Sequence, residues 1–303
     1  MRFLERLKQG PPILADGAMG TMLLAAGLPA GRPGEAWVLE RPQAIAAVHR
    51  AYLDAGAELI LTCTFGGNRA RLHRLGLQDR VEEVNRRAVE IVRAVTGGRD
   101  VWVAGDMGPL GELLAPFGKR TYAEAVDLFA EQAGALASAG VDLLYVETLS
   151  DLREAQAAVE GARRAAPHLP LVVTFSFDTH GRTNMGVRPE AVAQAARQWQ
   201  LAAVGANCGA TLEMTEEALR RMRETDPDLA LVAKPNAGLP RFTETGPVYD
   251  AGPLQLAEFG RRAIGLGVRV LGGCCGTTPD HIRALARAVR GGVKPAGPPP
   301  PAR

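Results

Sequence analysis

Leu271-Gly272-Gly273-Cys274-Cys275-Gly276-Thr277-Thr278-Pro279-Asp280-His281 reads as the end of an apolar strand, a glycine-flanked turn and the start of a helix. Pro279 sits where a first helical turn tolerates proline, because the amide hydrogen it lacks would have no partner there. The same unit recurs along the chain. Apolar runs at 13–16, 59–65, 101–106, 143–148, 171–177, 203–207, 229–235 and 268–273 alternate with longer helical patterns. Eight such units predict an α/β fold, a parallel (β/α)8 TIM barrel with helices covering the outside of a closed sheet.

The helix signals agree with that alternation. Arg41-Pro42 opens a helix that reaches Ala55 before Gly56, and Thr121-Tyr122-Ala123-Glu124 is a capping box, whose side chains satisfy free amides of the first turn. Further starts are expected at Ser150 or Asp151, at Arg188-Pro189-Glu190, at Thr215-Glu216-Glu217 and at Thr278-Pro279-Asp280. Three connections, 20–40, 108–120 and 236–253, are long and follow strands, so they belong to the face where a barrel builds its active site. Residues 1–290 are expected to form the barrel. Residues 291–303, with prolines at 298–301, read as a Gly/Pro-rich semi-rigid linker or tail, which suggests one module of something longer.

A chain of 303 residues with 47% hydrophobic content buries one large core without needing a second. Basic and acidic residues nearly balance at 35 and 33, so a nucleic-acid surface is not expected. No segment offers the roughly 20 apolar residues of a membrane span, and residues 1–10 lack the apolar core of a secretory signal. Four cysteines, Cys63, Cys208, Cys274 and Cys275, are too few for a disulfide scaffold and suit a reducing compartment, so a cytoplasmic location is expected.

Cys274 and Cys275 follow one apolar run; Cys208, in Ala206-Asn207-Cys208-Gly209, follows another. In a parallel barrel both emerge at the C-terminal ends of the strands, on one rim. Three thiolates with one position left open form a catalytic zinc site, since structural sites fill all four positions with protein ligands. A substrate thiol entering the open position would be bound as thiolate near neutral pH. Cys63 has no partner by spacing and is expected to pack in the core. His180 and His281 lack a ligand partner at helical spacing and are expected to cap or face solvent. Lys234, on the seventh strand, is of the type that forms Schiff bases, but an ion pair inside the barrel is the preferred reading.

Gly205-Ala206-Asn207-Cys208-Gly209 and Gly272-Gly273-Cys274-Cys275-Gly276-Thr277-Thr278-Pro279 do not stand alone. With Asp16-Gly17-Ala18-Met19-Gly20-Thr21, Val146-Glu147-Thr148 and Lys234-Pro235-Asn236-Ala237-Gly238, they make the chain resemble the homocysteine S-methyltransferase domain, over residues 10–290. One departure is Cys63, where that family often carries asparagine. The resemblance implies that Cys208, Cys274 and Cys275 hold Zn2+ and that the sulfur of L-homocysteine is the fourth ligand. It also implies that Asp16 and Glu147 meet the ammonium end of the amino acid, where carboxylates accept charged hydrogen bonds. Backbone N–H groups of Gly17, Ala18 and Met19 are candidates for the substrate carboxylate, since glycine allows close approach. Asn207 either fills the open metal position or positions the Cys208 loop, and Thr148 either orients the site or caps a helix.

Within the family, Gly105-Asp106-Met107-Gly108-Pro109-Leu110-Gly111-Glu112-Leu113-Leu114 and the proline tether resemble the homocysteine-binding module of cobalamin-dependent methionine synthases. That implies methyl transfer from methylcobalamin to form methionine, the donor being carried by a module absent from this chain. Folate- and cobalamin-binding modules of the same longer polypeptide would then be its partners. Two alternatives stand beside this: a freestanding methyltransferase using S-methylmethionine or betaine, and a noncatalytic zinc or thiol-sensing module.

Overall fold

A computed structural model describes residues 2–178, 180–243 and 246–291. The linker or tail expected at 291–303 lies, after Gly291, outside the described residues. The strands are β1 (Ile13–Leu14), β2 (Leu59–Leu61), β3 (Trp102–Met107), β4 (Leu143–Leu149), β5 (Leu171–Phe175), β6 (Ala203–Cys208), β7 (Leu231–Pro235), β8 (Pro240–Thr243), β9 (Gly246–Tyr249) and β10 (Val268–Leu271). All but β8 and β9 form one eight-stranded parallel sheet. A parallel bridge between Ala15 and Leu59 joins the two outermost strands and closes the barrel.

Two short helices precede and follow β1, α1 (Phe3–Lys8) and α2 (Gly20–Ala25), and α3 (Glu35–Glu40) comes next. The remaining ones are α4 (Pro42–Ala55), α5 (Arg69–Leu72), α6 (Val81–Thr96), α7 (Tyr122–Ser138), α8 (Leu152–Ala165), α9 (Pro189–Gln198), α10 (Leu212–Thr225), α11 (Pro253–Gly265) and α12 (Pro279–Arg290). Apart from α5, these are the barrel's outer layer. Among the described residues no helix is long and apolar enough to cross a membrane.

Successive side chains of a strand point to opposite faces, so every second residue enters the barrel. Ile13, Leu59, Ala104, Leu143, Tyr145, Val172, Ala203, Val232 and Val270 pack together inside it, and Phe3 and Leu7 of α1 close its N-terminal end. One step further along the inward faces the residues turn polar: Asp106 follows Ala104, Glu147 follows Tyr145, Thr174 follows Val172, and Lys234 follows Val232. Outward residues such as Leu144, Val146, Val173 and Val204 pack under the helices. Period two thus separates an apolar plug from a polar upper layer.

The capping box at Thr121 forms, with Thr121 N–H donating to Glu124 at 2.8 Å and Glu124 N–H donating back to the Thr121 hydroxyl at 3.2 Å. His281 caps α12: its Nδ1 accepts from Thr278 N–H at 3.1 Å, and its Nε2 lies 2.9 Å from the Ala251 carbonyl. Two boundaries need correction. The helix expected to start at Thr215 starts at Leu212, because Thr211 is the residue whose hydroxyl accepts from Met214 N–H. Strand pairing of β2 ends near Leu61 rather than 65, because side chains take over: the Thr62 hydroxyl accepts from Asp106 N–H, and the Thr64 hydroxyl donates to the Asp106 carbonyl. The connection at 236–253 holds the antiparallel β8–β9 hairpin.

Candidate metal centre and substrate cavity

Cys208 ends β6, while Cys274 and Cys275 follow β10, with β7 lying between those strands. The loop after β10 is pinned to its neighbours: Cys274 N–H donates to the Pro235 carbonyl at 2.7 Å, Ala237 N–H to the Cys275 carbonyl at 2.9 Å, and Gly273 N–H to the Asp16 carbonyl at 3.0 Å. Cys208 itself has φ +55°, a left-handed conformation uncommon for a residue with a side chain. Its carbonyl accepts from Asn236 N–H at 3.3 Å, which ties that turn to β7.

The three sulfurs converge. Cys208 Sγ is 3.1 Å from Cys274 Sγ and 4.0 Å from Cys275 Sγ, and all three lie within 4.8 Å of one another. Tetrahedral coordination with Zn–S near 2.3 Å requires sulfurs about 3.8 Å apart, so this set fits a single thiophilic ion with small adjustments. Thiols in such contact resist ionising together. Hydrogen bonds from Cys208 and Cys274 hold Cys275 well below the ordinary thiol range, and the same contacts push Cys208 up. Three thiolates therefore call for a cation among them.

The sulfurs border a cavity of about 490 Å3 that also takes in Asp16, Asp106, Glu147, Thr148 and Lys234 and extends outwards to Arg71 and Arg74. Lys234 Nζ is 3.0 Å from Asp16 Oδ1, with both side chains at least 96% buried, so the preferred ion pair is present. Burial pulls the Lys234 ammonium down, but Asp16 and Glu147 outweigh it and hold the group charged. The other Asp16 oxygen, Oδ2, accepts from Leu61 N–H at 2.8 Å. Burial raises Glu147 to about 8, and Lys234 only partly offsets this.

Asn207 is buried, and its Oδ1 accepts from Thr148 N–H at 2.9 Å and from the Thr174 hydroxyl at 2.7 Å. Its oxygen is thereby committed to positioning the ends of β4, β5 and β6. The loop after β1 runs into the same cavity. There Ala18 N–H donates to Thr277 Oγ1 at 3.1 Å, while among the described residues the N–H groups of Gly17 and Met19 have no acceptor. A Cβ on Gly17 would stand 2.6 Å from Thr277 Oγ1, so only glycine fits there. Cys63 is buried in the main apolar cluster and touches the cavity's outer part. Asp106, which belongs to the Gly105–Leu114 motif, also lines the cavity, and an acid closing an apolar run at a barrel strand end is the sequence signal for that place.

The sequence profile of the family described as homocysteine S-methyltransferase matches residues 13–289. Methionine synthase of Mycobacterium leprae is 35% identical over 302 residues, which is 94% of this chain and 25% of that protein. The Mycobacterium tuberculosis methionine synthase is 34% identical, over 91% of the chain and 24% of that protein. This chain thus spans about a quarter of the length of the curated relatives it matches. Among solved structures, the homocysteine methyltransferase MmuM from Escherichia coli in its oxidized form superposes with a TM-score of 0.78 at 28% identity, covering 92% of this chain and 97% of that one. Its metallated form gives 0.77 at 28% identity, over 93% and 98%.

Proposed function

This chain belongs to the homocysteine S-methyltransferase family, and from that premise we propose that it binds L-homocysteine and converts its thiol to a thiolate for methyl transfer, forming methionine. The observation that carries the reading is the convergence of Cys208, Cys274 and Cys275 on one wall of a cavity whose other walls bear buried carboxyl groups. Cys208, Cys274 and Cys275 would hold Zn2+, which when bound supplies a Lewis-acid position that lowers the pKa of an incoming thiol.

The chain's own residues do the rest. Carboxylates in the cavity face the substrate ammonium, the Gly17 and Met19 N–H groups take its carboxylate, and Asn207 and Thr148 hold the rim in place. On binding, the thiol proton passes to solvent. The sulfur lone pair then attacks the methyl carbon, and the new C–S bond forms as the methyl–donor bond breaks and leaves its electron pair on the donor. Such a displacement needs nucleophile and leaving group in line, so the donor has to reach the sulfur through the cavity that the three cysteines line.

For the donor we propose methylcobalamin, presented by a cobalamin-binding module of a longer polypeptide that also holds a folate-binding module. The 34–35% identity to methionine synthases four times the length supports this. A reducing cytoplasm would keep the three thiols available. The second reading is a freestanding enzyme using S-methylmethionine or betaine, favoured by the near-complete overlap with E. coli MmuM.

The test is zinc content and zinc K-edge absorption with and without L-homocysteine, followed by methyl transfer from methylcobalamin, S-methylmethionine and betaine side by side. A gain of one sulfur ligand and methionine formed from methylcobalamin supports the main reading. Turnover with a small donor alone selects the second, and zinc binding with no change on adding homocysteine rejects both in favour of a noncatalytic zinc or thiol-sensing module.

A further inference from the structure

Four carboxyl groups that line the cavity, those of Asp16, Glu35, Asp106 and Glu147, are buried, and Lys234 is the one buried ammonium group among the described residues. Their partners differ. Asp16 spends one oxygen on Lys234 and the other on Leu61 N–H. Glu35 accepts from Gly66 N–H at 2.6 Å. Glu147 has one long contact, 3.5 Å from Asn207 Nδ2.

Asp106 has nothing. It is 6% exposed, and its Oδ1 is shielded from solvent without a hydrogen-bond partner. Its backbone, by contrast, is held on both sides: Asp106 N–H donates to the Thr62 hydroxyl at 3.0 Å, and its carbonyl accepts from the Thr64 hydroxyl at 2.7 Å. The carboxyl is therefore aimed into the cavity by a rigid support, not left there by a loose loop. Burying a carboxylate without a partner is costly, and the usual remedy is a cation or a set of N–H donors.

We propose that Asp106, on β3, joins Glu147, on the neighbouring β4, in receiving the ammonium group of the amino-acid substrate. The inference rests on the homocysteine reading above. An ammonium group brings one positive charge and three N–H donors, enough to reach two carboxyl groups that make little or no hydrogen bonding of their own. Asp16 differs in that each of its oxygens already accepts one hydrogen bond, from Lys234 and from Leu61 N–H. The β3–β4 register, with Asp106 opposite Tyr145, puts Asp106 one inward step below Glu147, so the ammonium would sit at the floor of the cavity.

The experiment compares two ligands on zinc-loaded protein: L-homocysteine, and 4-sulfanylbutanoate, which keeps the thiol and carboxylate but lacks the amine. Asp106→Asn keeps the shape and removes the charge. It is expected to weaken L-homocysteine by about tenfold to a hundredfold, the size of a lost charged hydrogen bond, and to leave 4-sulfanylbutanoate unchanged. Equal weakening of both ligands, or of neither, overturns the assignment. Asp106→Ser is measured alongside by the same criterion, so a failure of the asparagine variant to fold leaves the question answerable. If neither ligand adds a sulfur to the zinc edge of the unaltered protein, the homocysteine reading itself has failed, and that result is distinct from a loss seen in the Asp106 variants.

Discussion

Asn207 grips Thr148 at two points, accepting from its backbone N–H at 2.9 Å and donating through Nδ2 to its hydroxyl at 2.7 Å. Thr148 is held at φ +64°, a left-handed conformation that is strained for a β-branched residue. Removing the grip leaves buried partners unsatisfied. Asn207→Ala is expected to cost about 2–3 kcal/mol of unfolding free energy and to weaken homocysteine binding. Urea denaturation reads the first effect, and an unchanged midpoint would show that Thr148 is held by something else.

The sulfur cluster predicts a division among the four cysteines. Cys208→Ser, Cys274→Ser and Cys275→Ser should each lower the zinc retained per chain, because serine is a poor replacement for a thiolate ligand. Cys63→Ser, buried outside the cluster, should retain the full complement. Metal analysis after dialysis against a weak chelator separates the two groups; zinc loss in the Cys63 variant would mean that the assignment of ligands is wrong.

Lys234 and Asp16 are 218 positions apart and meet inside the barrel at 3.0 Å. Lys234→Met leaves Asp16 buried without its counter-charge, at a cost of about 3–5 kcal/mol. Adding Asp16→Asn should return part of that loss, since the carboxylate that touches Lys234 is then neutral, while Asp106 and Glu147 still lack the ammonium. A double-mutant cycle in chemical denaturation measures the coupling, and strictly additive losses would contradict it.

Glu154 opens α8 and accepts from Leu110 N–H at 2.8 Å, which anchors the connection at 108–120. Burial, only partly offset by that hydrogen bond, raises its carboxyl to about 7 from an ordinary 4.5. A carboxyl with a raised folded pKa binds its proton more tightly when folded. Its contribution is therefore greatest at low pH and is lost as pH rises from about 4.5 to about 7, amounting to roughly 3 kcal/mol. Glu154→Gln should flatten the stability curve across that window; an equally steep decline in the variant would assign the slope to another group.

The barrel was legible because each strand is a short apolar run ending in glycine or a polar residue, and the metal centre because its cysteines sit at two such ends. What escaped depends on closure of the sheet. The sequence shows Asp16, Asp106 and Glu147 as three similar acids at strand ends; only the closed barrel brings Lys234 to Asp16 and leaves Asp106 without a partner. Likewise, the early end of β2 reflects Thr62 and Thr64 reaching Asp106 on another strand, where side-chain hydrogen bonds replace backbone ones, a change that an apolar pattern cannot register. The β8–β9 hairpin was hidden in a connection whose composition announced only a loop.

Phe3 and Leu7 stopper the N-terminal end of the barrel, so among the described residues the cavity is closed at that end and opens towards the opposite rim. On the proposed reading this dictates a queue. The amino acid, whose ammonium end belongs deepest, has to enter before any donor crosses the threshold, and methionine departs only after the spent donor has stepped back. A helix far from the chemistry thereby sets the sequence of arrivals and departures.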